Sequence, residues 1–231
     1  MMGAMENVIA SHGYTMADIC RLIPDFIEEL ARKCPLSYQK FVEQIDKDLE
    51  NIISDTESGK QHHFSKGEDE ITEHLIAQLK RIYPSVHHDA QQGGHCDIYI
   101  EVKGSAGLMY KWIMEAKLWK GFAYVYSGLS EQLLGSYAVG GENSCRGGMI
   151  FYSQINSGLK HCMEEWATGL KDKGVLIEKK RSDGLRLDTK HHLNTSSGTE
   201  FFVKHYGIDL YHAPTEKKEN KKKSKTKKVK K

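Results

Sequence analysis

The sequence predicts an α/β protein in which helices flank a mixed central β-sheet. Three observations support this fold class. Apolar residues recur at helical spacing in the segment 67–82, alternate with polar residues in 97–102, and form a short uninterrupted run in 149–152. Helix, strand hairpin, helix, strand and helix then follow one another along the chain, an order typical of a layered α/β structure.

The composition is that of a folded globular protein. Of the 231 residues, 39% are apolar and 28% are charged. No stretch approaches the ~20 consecutive apolar residues of a membrane helix, and the first residues show no secretory signal. The five cysteines are scattered without a Cys-x-x-Cys spacing, which argues against a disulfide framework or a structural zinc site. We therefore expect a cytoplasmic protein without a membrane anchor.

Residues 1–60 are predicted to form a helical segment. One helix would begin at Thr15 or Asp18 and end at Cys34-Pro35, and a second would begin at Ser37, which gives a helical hairpin. The polar residues 54–60 are predicted to be a linker. Because this segment is too small for an independent enzyme, we expect it to dock a partner subunit or a second copy of the chain.

Residues 61–215 are predicted to form the main domain. Its first helix, 67–82, is ended by Pro84, and a turn at 91–94 leads into the strand hairpin. The remaining predicted elements are helices at 130–138 and 159–171, strands at 149–152 and 174–177, and β-like pieces at 185–187, 200–206 and 208–211 around a turn at 194–198.

Residues 216–231 are predicted to be a disordered, strongly basic tail. The 215 residues before it hold 23 of the 33 bases and 29 of the 31 acids of the chain. The tail has too few apolar residues to fold. Its lysines, among them Lys221, Lys222 and Lys223, are suited to binding nucleic acid, because each lysine that neutralises a phosphate releases a counterion. A solvated tail that aids solubility or localisation is the alternative.

The predicted hairpin brings two acids together. If residues 104–107 form a four-residue loop, Asp97 lies opposite Met114 and beside Glu115. If the loop is one residue longer, Asp97 faces Glu115 directly. Alternation along the return strand places Lys117 on the same face as Glu115. Two adjacent carboxylates repel each other unless a cation holds them, and Mg²⁺ or Mn²⁺ is the natural occupant of an oxygen-ligand site.

A third acid is expected from the preceding helix. Glu68 lies three positions before Ile71 on the inward stripe, whereas Glu70 and Glu73 fall off its centre. An acid on the buried side of a helix needs a partner. The alternative is that Glu68 only complements the helix dipole at the N-terminus.

These residues resemble a known family. Asp97, 17 intervening residues and Glu115-Ala116-Lys117 resemble the signature of the PD-(D/E)XK nucleases, which include restriction endonucleases, Holliday-junction resolvases and RecB-type nucleases. The helix around Glu68 resembles the first core helix of the family, which donates a further acid. The resemblance covers residues 64–155, and Cys96 stands where the family has proline.

A further likeness lies on the next helix. Gln132 and Tyr137 resemble a Gln/Tyr element of some subfamilies, with a spacing that is one residue longer. The family resemblance implies a restriction-endonuclease-like core.

The resemblance also implies Mg²⁺- or Mn²⁺-dependent hydrolysis of DNA, with RNA not excluded. Asp97 and Glu115 would bind the metal, with Glu68 and the Ala116 carbonyl as further ligands. Lys117 would orient the attacking water or stabilise developing charge.

Other implied roles lie outside the metal set. Gln132 would position water or a phosphate, and Arg146, in the Gly-rich loop 140–148, would touch a phosphate. Because many such chains act in microbial defence or restriction, the resemblance implies an effector subunit of an anti-phage system. The alternative is a nucleic-acid-binding or assembly subunit that does not cleave, against which the intact Asp, Glu and Lys set argues.

The remaining conspicuous residues point to structural roles. Histidine doublets at 62–63, 87–88 and 191–192 are expected at the surface or in loops, because adjacent side chains face apart. A zinc hydrolase built on them lacks a spaced ligand motif. The three tryptophans are expected in the core, and Cys96 and Cys145 are expected to be inert thiols.

Overall fold

The structure, a computed structural model, describes residues 10–88, 90–91, 95–193 and 198–213. The N-terminal helices are α1 (Met16–Leu22), α2 (Phe26–Lys33), α3 (Tyr38–Ser58) and α4 (Glu68–Leu79), with a 3-10 turn at Lys60–His62. Then follow β1 (Val86–His87), β2 (Ala90–Gln91), β3 (His95–Cys96), β4 (Ile98–Lys103) and β5 (Met109–Leu118). The remaining elements are α5 (Phe122–Ser127), a π-helix (Gly128–Tyr137), β6 (Arg146–Ser153), α6 (Leu159–Asp172), β7 (Leu176–Lys180), β8 (Arg186–His192) and β9 (Glu200–Asp209).

Seven of these strands form one mixed sheet in the order β1-β4-β5-β6-β9-β8-β7. The neighbours β5, β6 and β9 run parallel, and the other pairs in this sheet are antiparallel. The short strands β2 and β3 pair separately. The predicted α/β class with a mixed sheet flanked by helices is confirmed.

Each face of the sheet is covered by its own set of helices. On one face, α3 and α4 share a core with β4–β6 that includes Phe41, Leu75 and Trp112. On the other face, the π-helix and α6 pack over the sheet around Leu133, Met149 and other buried side chains. The expected core placement of the tryptophans is confirmed, since Trp112, Trp119 and Trp166 are all buried.

The first predicted helix is broken in two. α1 ends at Leu22 and α2 begins at Phe26, because Pro24 cannot supply the backbone N–H that a continuous helix requires. The expected start at Thr15 is confirmed: its hydroxyl accepts a hydrogen bond from the Asp18 N–H at 3.1 Å. α2 is anchored by a buried ion pair in which Arg32 binds Asp48 of α3.

The predicted linker at 54–60 is wrong over most of its length. Residues up to Ser58 belong to α3, which Ser37 caps as expected and Gly59 ends. The segment is polar because most of it lies on the solvent side of the helix, and its buried Thr56 donates its hydroxyl proton to the carbonyl of Ile52. Whether residues 1–60 serve as a docking unit stays a prediction.

Two further expectations about secondary structure need correction. The predicted helix 130–138 is a π-helix that starts at Gly128 and follows α5 without a break. The pieces 200–206 and 208–211 are one continuous strand, β9, whose Gly207 pairs with Phe151.

Residues 92–94 and 194–197, within the two predicted turns, and the tail from 214 onward lie outside the described residues. No helix among the described residues is long and apolar enough to cross a membrane.

Candidate active site at the end of the β4–β5 hairpin

The hairpin adopts the longer of the two expected loops. Lys103 pairs with Met109 and Ile98 pairs with Met114, so five residues connect the strands. Continuing this register by one residue places Asp97 opposite Glu115. Opposed residues on neighbouring strands have Cβ atoms ~4.5–5.5 Å apart. The two acids are therefore near each other where the ladder ends, and the charge of Asp97 acts on Glu115.

Asp97 and Glu68 bind the part of the β5 edge that extends beyond the end of β4. Because β4 begins at Ile98, the N–H groups of Ala116 and Leu118 lack a strand partner on that side. Asp97 Oδ2 accepts a hydrogen bond from the Ala116 N–H at 2.8 Å, and Glu68 Oε2 accepts one from the Leu118 N–H at 2.6 Å. Carboxylates therefore replace the missing strand.

Glu115 is the most deeply buried acid of this group. The residue is 1% exposed, and it lies on the sheet face that the π-helix covers. Lys117 Nζ lies 2.6 Å from Oε1 in an ion pair, and no described residue donates a hydrogen bond to Oε2. A buried carboxylate with an unpartnered oxygen is costly in a folded protein.

Lys117 lies between the acids. Its ammonium contacts Glu115 Oε1 at 2.6 Å and Glu68 Oε1 at 3.4 Å, so the helix α4 and the strand β5 meet at this side chain. The Lys117 stem packs against Gly128, where a Cβ atom would come within 2.9 Å of Lys117 Cε. The first residue of the π-helix therefore has to be small.

Burial and mutual repulsion shift the proton affinities of this group. Burial, reinforced by the charge of Asp97, raises the pKa of Glu115 to about 8. Burial also raises the pKa of Asp97. Burial lowers the pKa of Lys117, but the negative charges of Glu115, Asp97 and Glu68 outweigh it and raise that pKa above its usual value. Strongly perturbed carboxylates in one cluster are a feature of functional sites.

These residues can hold a hard divalent cation. The unpartnered oxygen of Glu115 and the free oxygen of Asp97 offer two oxygen ligands, and an added positive charge would offset their burial. The Ala116 carbonyl lies on the same open strand edge as its N–H, because both groups of a strand residue point the same way. Within the described part of the chain, however, no group of three or more His, Cys, Asp or Glu side chains already has ligand geometry.

The structure brings four of the predicted residues together, whereas Gln132 makes no contact with them through a hydrogen bond. Asp97, Glu115, Lys117 and Glu68 interact directly or through their charges. Gln132 lies half-buried on the π-helix.

The geometry of the π-helix explains how Gln132 and Tyr137, which are five residues apart, lie on the same side of one helix. Its hydrogen bonds join residues five apart, as between the Ala138 N–H and the Leu133 carbonyl. Residues separated by five positions therefore lie on the same side of this helix. Tyr137 is buried, and besides burial the charges of Glu115 and Asp97 raise its pKa to about 12.

Arg146 lies on the opposite face of the sheet from Glu115. Glu115 pairs with Met149, and Arg146, three residues earlier on β6, points to the other side. The Arg146 guanidinium lies 4.9 Å from the centre of the Phe202 ring, and the backbone N–H of Arg146 donates a hydrogen bond to the Tyr38 hydroxyl. The structure therefore does not bring Arg146 to the acids. Lys221, Lys222 and Lys223 lie outside the described residues.

Several residues at or near the site were not expected from the sequence. The Tyr124 hydroxyl donates to Glu68 Oε2 at 3.2 Å, and His88 is close enough for its charge to lower the pKa of Asp97. Tyr124 lies in a stretch where the sequence predicts no element, so no periodic signal marks it. His88 belongs to one of the histidine doublets and is exposed as expected, but His63 of another doublet is buried, against the expectation of a surface position.

The other conspicuous side chains have structural roles. Burial raises the pKa of the Cys96 thiol to about 12 and also raises that of Cys145, as expected for inert thiols. His205, which the sequence did not single out, is fully buried and links Trp166 to Thr189 through hydrogen bonds of 3.1 and 2.7 Å.

Comparisons with protein-family models, with curated proteins and with solved structures find no match to this chain.

Proposed function

We propose that this protein is a Mg²⁺- or Mn²⁺-dependent nuclease that hydrolyses phosphodiester bonds of DNA, with the restriction-endonuclease-like core of the PD-(D/E)XK family. One observation carries the proposal: Asp97 and Glu115 directly follow the last pair of the hairpin ladder, the charge of Asp97 acts on Glu115, and Lys117 contacts Glu115. A structural ion pair alone would not require a second, unpartnered carboxylate oxygen in the same buried place.

Each residue of the group would have its own role in the reaction. Glu115 and Asp97 would hold the divalent cation, with the Ala116 carbonyl and Glu68 as further oxygen ligands. When bound, the cation would lower the pKa of a ligated water and offset charge on the phosphodiester.

Lys117 carries the positive charge next to this position. Its ammonium, now paired with Glu115 and Glu68, would turn toward the substrate to orient the attacking water or stabilise developing negative charge. Gln132 shares a side of the π-helix with Tyr137, and it would position water or a phosphate.

A cleavage assay tests the proposal. The protein is incubated with supercoiled, linear and single-stranded DNA and with RNA, in Mg²⁺, Mn²⁺ or EDTA. Wild-type protein should cleave at least one substrate with metal only, and Glu115→Gln and Lys117→Ala should not. Glu164→Gln, an exposed acid of α6 far from the site in sequence, serves as the matched control and should cleave normally. Cleavage that survives EDTA or both site variants would refute the proposal.

One observation favours a second candidate function. Lys117 already contacts both Glu115 and Glu68, and the described residues lack a preformed group of three metal-ligating side chains. A subunit that binds nucleic acid, or that assembles with a nuclease without cleaving, would not need a preformed metal site. DNA binding without cleavage under every metal condition would support that alternative.

The biological setting is also a proposal. An effector subunit of an anti-phage defence or restriction system would need an activating partner, and α1 and α2 offer a surface for one. Leu22, Ile23 and Ile27 are 58%, 47% and 62% exposed there, although they are large and apolar. Arg146 on the opposite face of the sheet and the Lys-rich tail are the proposed additional contacts to nucleic acid.

A further inference from the structure

The carboxylate of Glu68 is held by three groups from two elements. Oε2 accepts hydrogen bonds from the Leu118 N–H and the Tyr124 hydroxyl, at 2.6 and 3.2 Å, and Oε1 lies 3.4 Å from Lys117 Nζ. The side chain is 22% exposed. Two of these three contacts belong to the candidate catalytic strand β5, whereas Tyr124 belongs to α5.

The backbone of Glu68 is fixed separately. The Thr72 hydroxyl bonds the Glu68 carbonyl at 2.9 Å and also contacts the hydroxyl of Tyr152, which lies on the neighbouring strand β6. Thr72 and Tyr152 are buried. The first turn of α4 is therefore tied to the sheet without Tyr124, so Tyr124 affects the direction of the carboxylate and not the position of the helix.

Tyr124 is itself oriented by a neighbouring cation. Lys120, exposed and two residues after the end of β5, places its ammonium 4.6 Å from the centre of the Tyr124 ring. A cation over an aromatic face is attractive. The ring is thereby held with its hydroxyl toward Glu68.

We propose that Tyr124 is a positioning residue that sets the direction of the Glu68 carboxylate for binding a divalent cation beside Asp97 and Glu115. Without the tyrosine hydroxyl, Oε2 keeps only the strand-end N–H, and the carboxylate can turn toward Lys117. Groups that orient metal ligands typically change metal affinity by about 10–100-fold when removed. The inference rests on the proposed metal site, but not on nuclease activity.

The neighbouring Tyr126 provides a matched control. It lies on the same short helix and also has a lysine over its ring, with Lys173 Nζ 5.4 Å from the ring centre. Its ring stacks on Phe122, and its hydroxyl has no hydrogen bond to an acid among the described residues. Tyr124→Phe and Tyr126→Phe therefore remove the same atom, but only the first removes a contact with Glu68.

The experiment measures Mn²⁺ binding to the full-length protein by the loss of the free-ion signal in electron paramagnetic resonance, with thermal unfolding as a check on folding. Tyr124→Phe should weaken Mn²⁺ binding about tenfold or more, and Tyr126→Phe should bind like wild type. The Mg²⁺ concentration for half-maximal cleavage should rise in Tyr124→Phe, with the maximal rate recovered at high Mg²⁺.

Several outcomes would overturn the inference. These are unchanged Mn²⁺ affinity in Tyr124→Phe, equal losses in both variants, or absence of Mn²⁺ binding in wild type. If wild type binds Mn²⁺, Tyr124→Phe binds it more weakly and neither cleaves nucleic acid, the positioning role stands and the proposed nuclease function fails.

Discussion

Replacing Glu115 with glutamine should remove a pH-dependent penalty from the free energy of unfolding. The substitution keeps the size of the side chain and removes its charge. Glu115 is 1% exposed and has a pKa of about 8 in the folded protein, against an ordinary value of 4.5. The folded state therefore retains a proton that the unfolded state has released between about pH 4.5 and 8.

This difference in proton binding sets the sign and the size of the change in the free energy of unfolding with pH. Where the folded state binds more protons than the unfolded state, the free energy of unfolding falls as the pH rises. Since one pKa unit corresponds to about 1.4 kcal/mol, wild type should lose on the order of 5 kcal/mol across this window relative to Glu115→Gln. Lys117 does not cancel the effect there, because its raised pKa acts only near and above its ordinary value of 10.5.

The assay is urea unfolding in EDTA at several pH values from 4.5 to 9, for wild type, Glu115→Gln and the exposed control Glu164→Gln. The difference between Glu115→Gln and wild type should grow with pH, whereas Glu164→Gln should follow wild type. Adding Mg²⁺ at pH 8 should restabilise wild type, because a ligand that binds only the folded state stabilises it. Parallel pH profiles for wild type and Glu115→Gln would refute the account of this carboxylate.

Three further perturbations test other parts of the account. Gly128→Ala should reduce cleavage with little change in folding, because the added methyl group would come within 2.9 Å of the Lys117 stem and displace its flexible side chain; unchanged cleavage rates would contradict this packing role. Thr189→Val should lower the free energy of unfolding by about 1–3 kcal/mol in urea titrations, since it leaves buried His205 without its hydroxyl partner; a loss well under 1 kcal/mol would contradict it. Deleting residues 217–231 should weaken DNA binding and flatten its dependence on salt, measured by fluorescence anisotropy, because each lost phosphate contact reduces the slope by about 0.9; an unchanged slope would show that the tail does not contact DNA.

The hairpin and its acids could be predicted because their signals are local. Alternation of apolar residues identifies both strands, and only the loop length remained open between two registers. The helical stripe through Ile71 also identified Glu68 as inward-facing, and the structure brings it to Lys117. The hairpin contacts lie between strands adjacent in the sequence, whereas the helical stripe predicts only the inward direction of Glu68, whose contact with Lys117 joins residues 49 positions apart.

The errors have two physical causes. Polar residues predict a linker at 54–60, although the exposed face of a helix has the same composition over a short window. The break at Pro24 was missed because the apolar spacing continues across it. A proline in a helical pattern is the stronger signal.

Other features depend on contacts that sequence spacing does not encode. The face on which Arg146 lies is fixed by the pairing of β6 with β5 and β9, and a Gly-rich loop has no period that would reveal it. The contact of Tyr124 with Glu68 joins residues 56 positions apart. The close packing of the Lys117 stem on Gly128, the first residue of the π-helix, is likewise a contact between separate elements.

The most direct test of the proposed function is the conversion of supercoiled circular DNA to nicked or linear forms by wild type and Lys117→Met at equal concentrations. The account predicts conversion by wild type in Mg²⁺, none in EDTA, and none by Lys117→Met in either condition. Because the methionine keeps most of the length of the lysine stem and removes its charge, loss of cleavage would isolate the ammonium. Conversion by Lys117→Met at the wild-type rate would contradict the central claim that the Asp97, Glu115 and Lys117 group carries the chemistry.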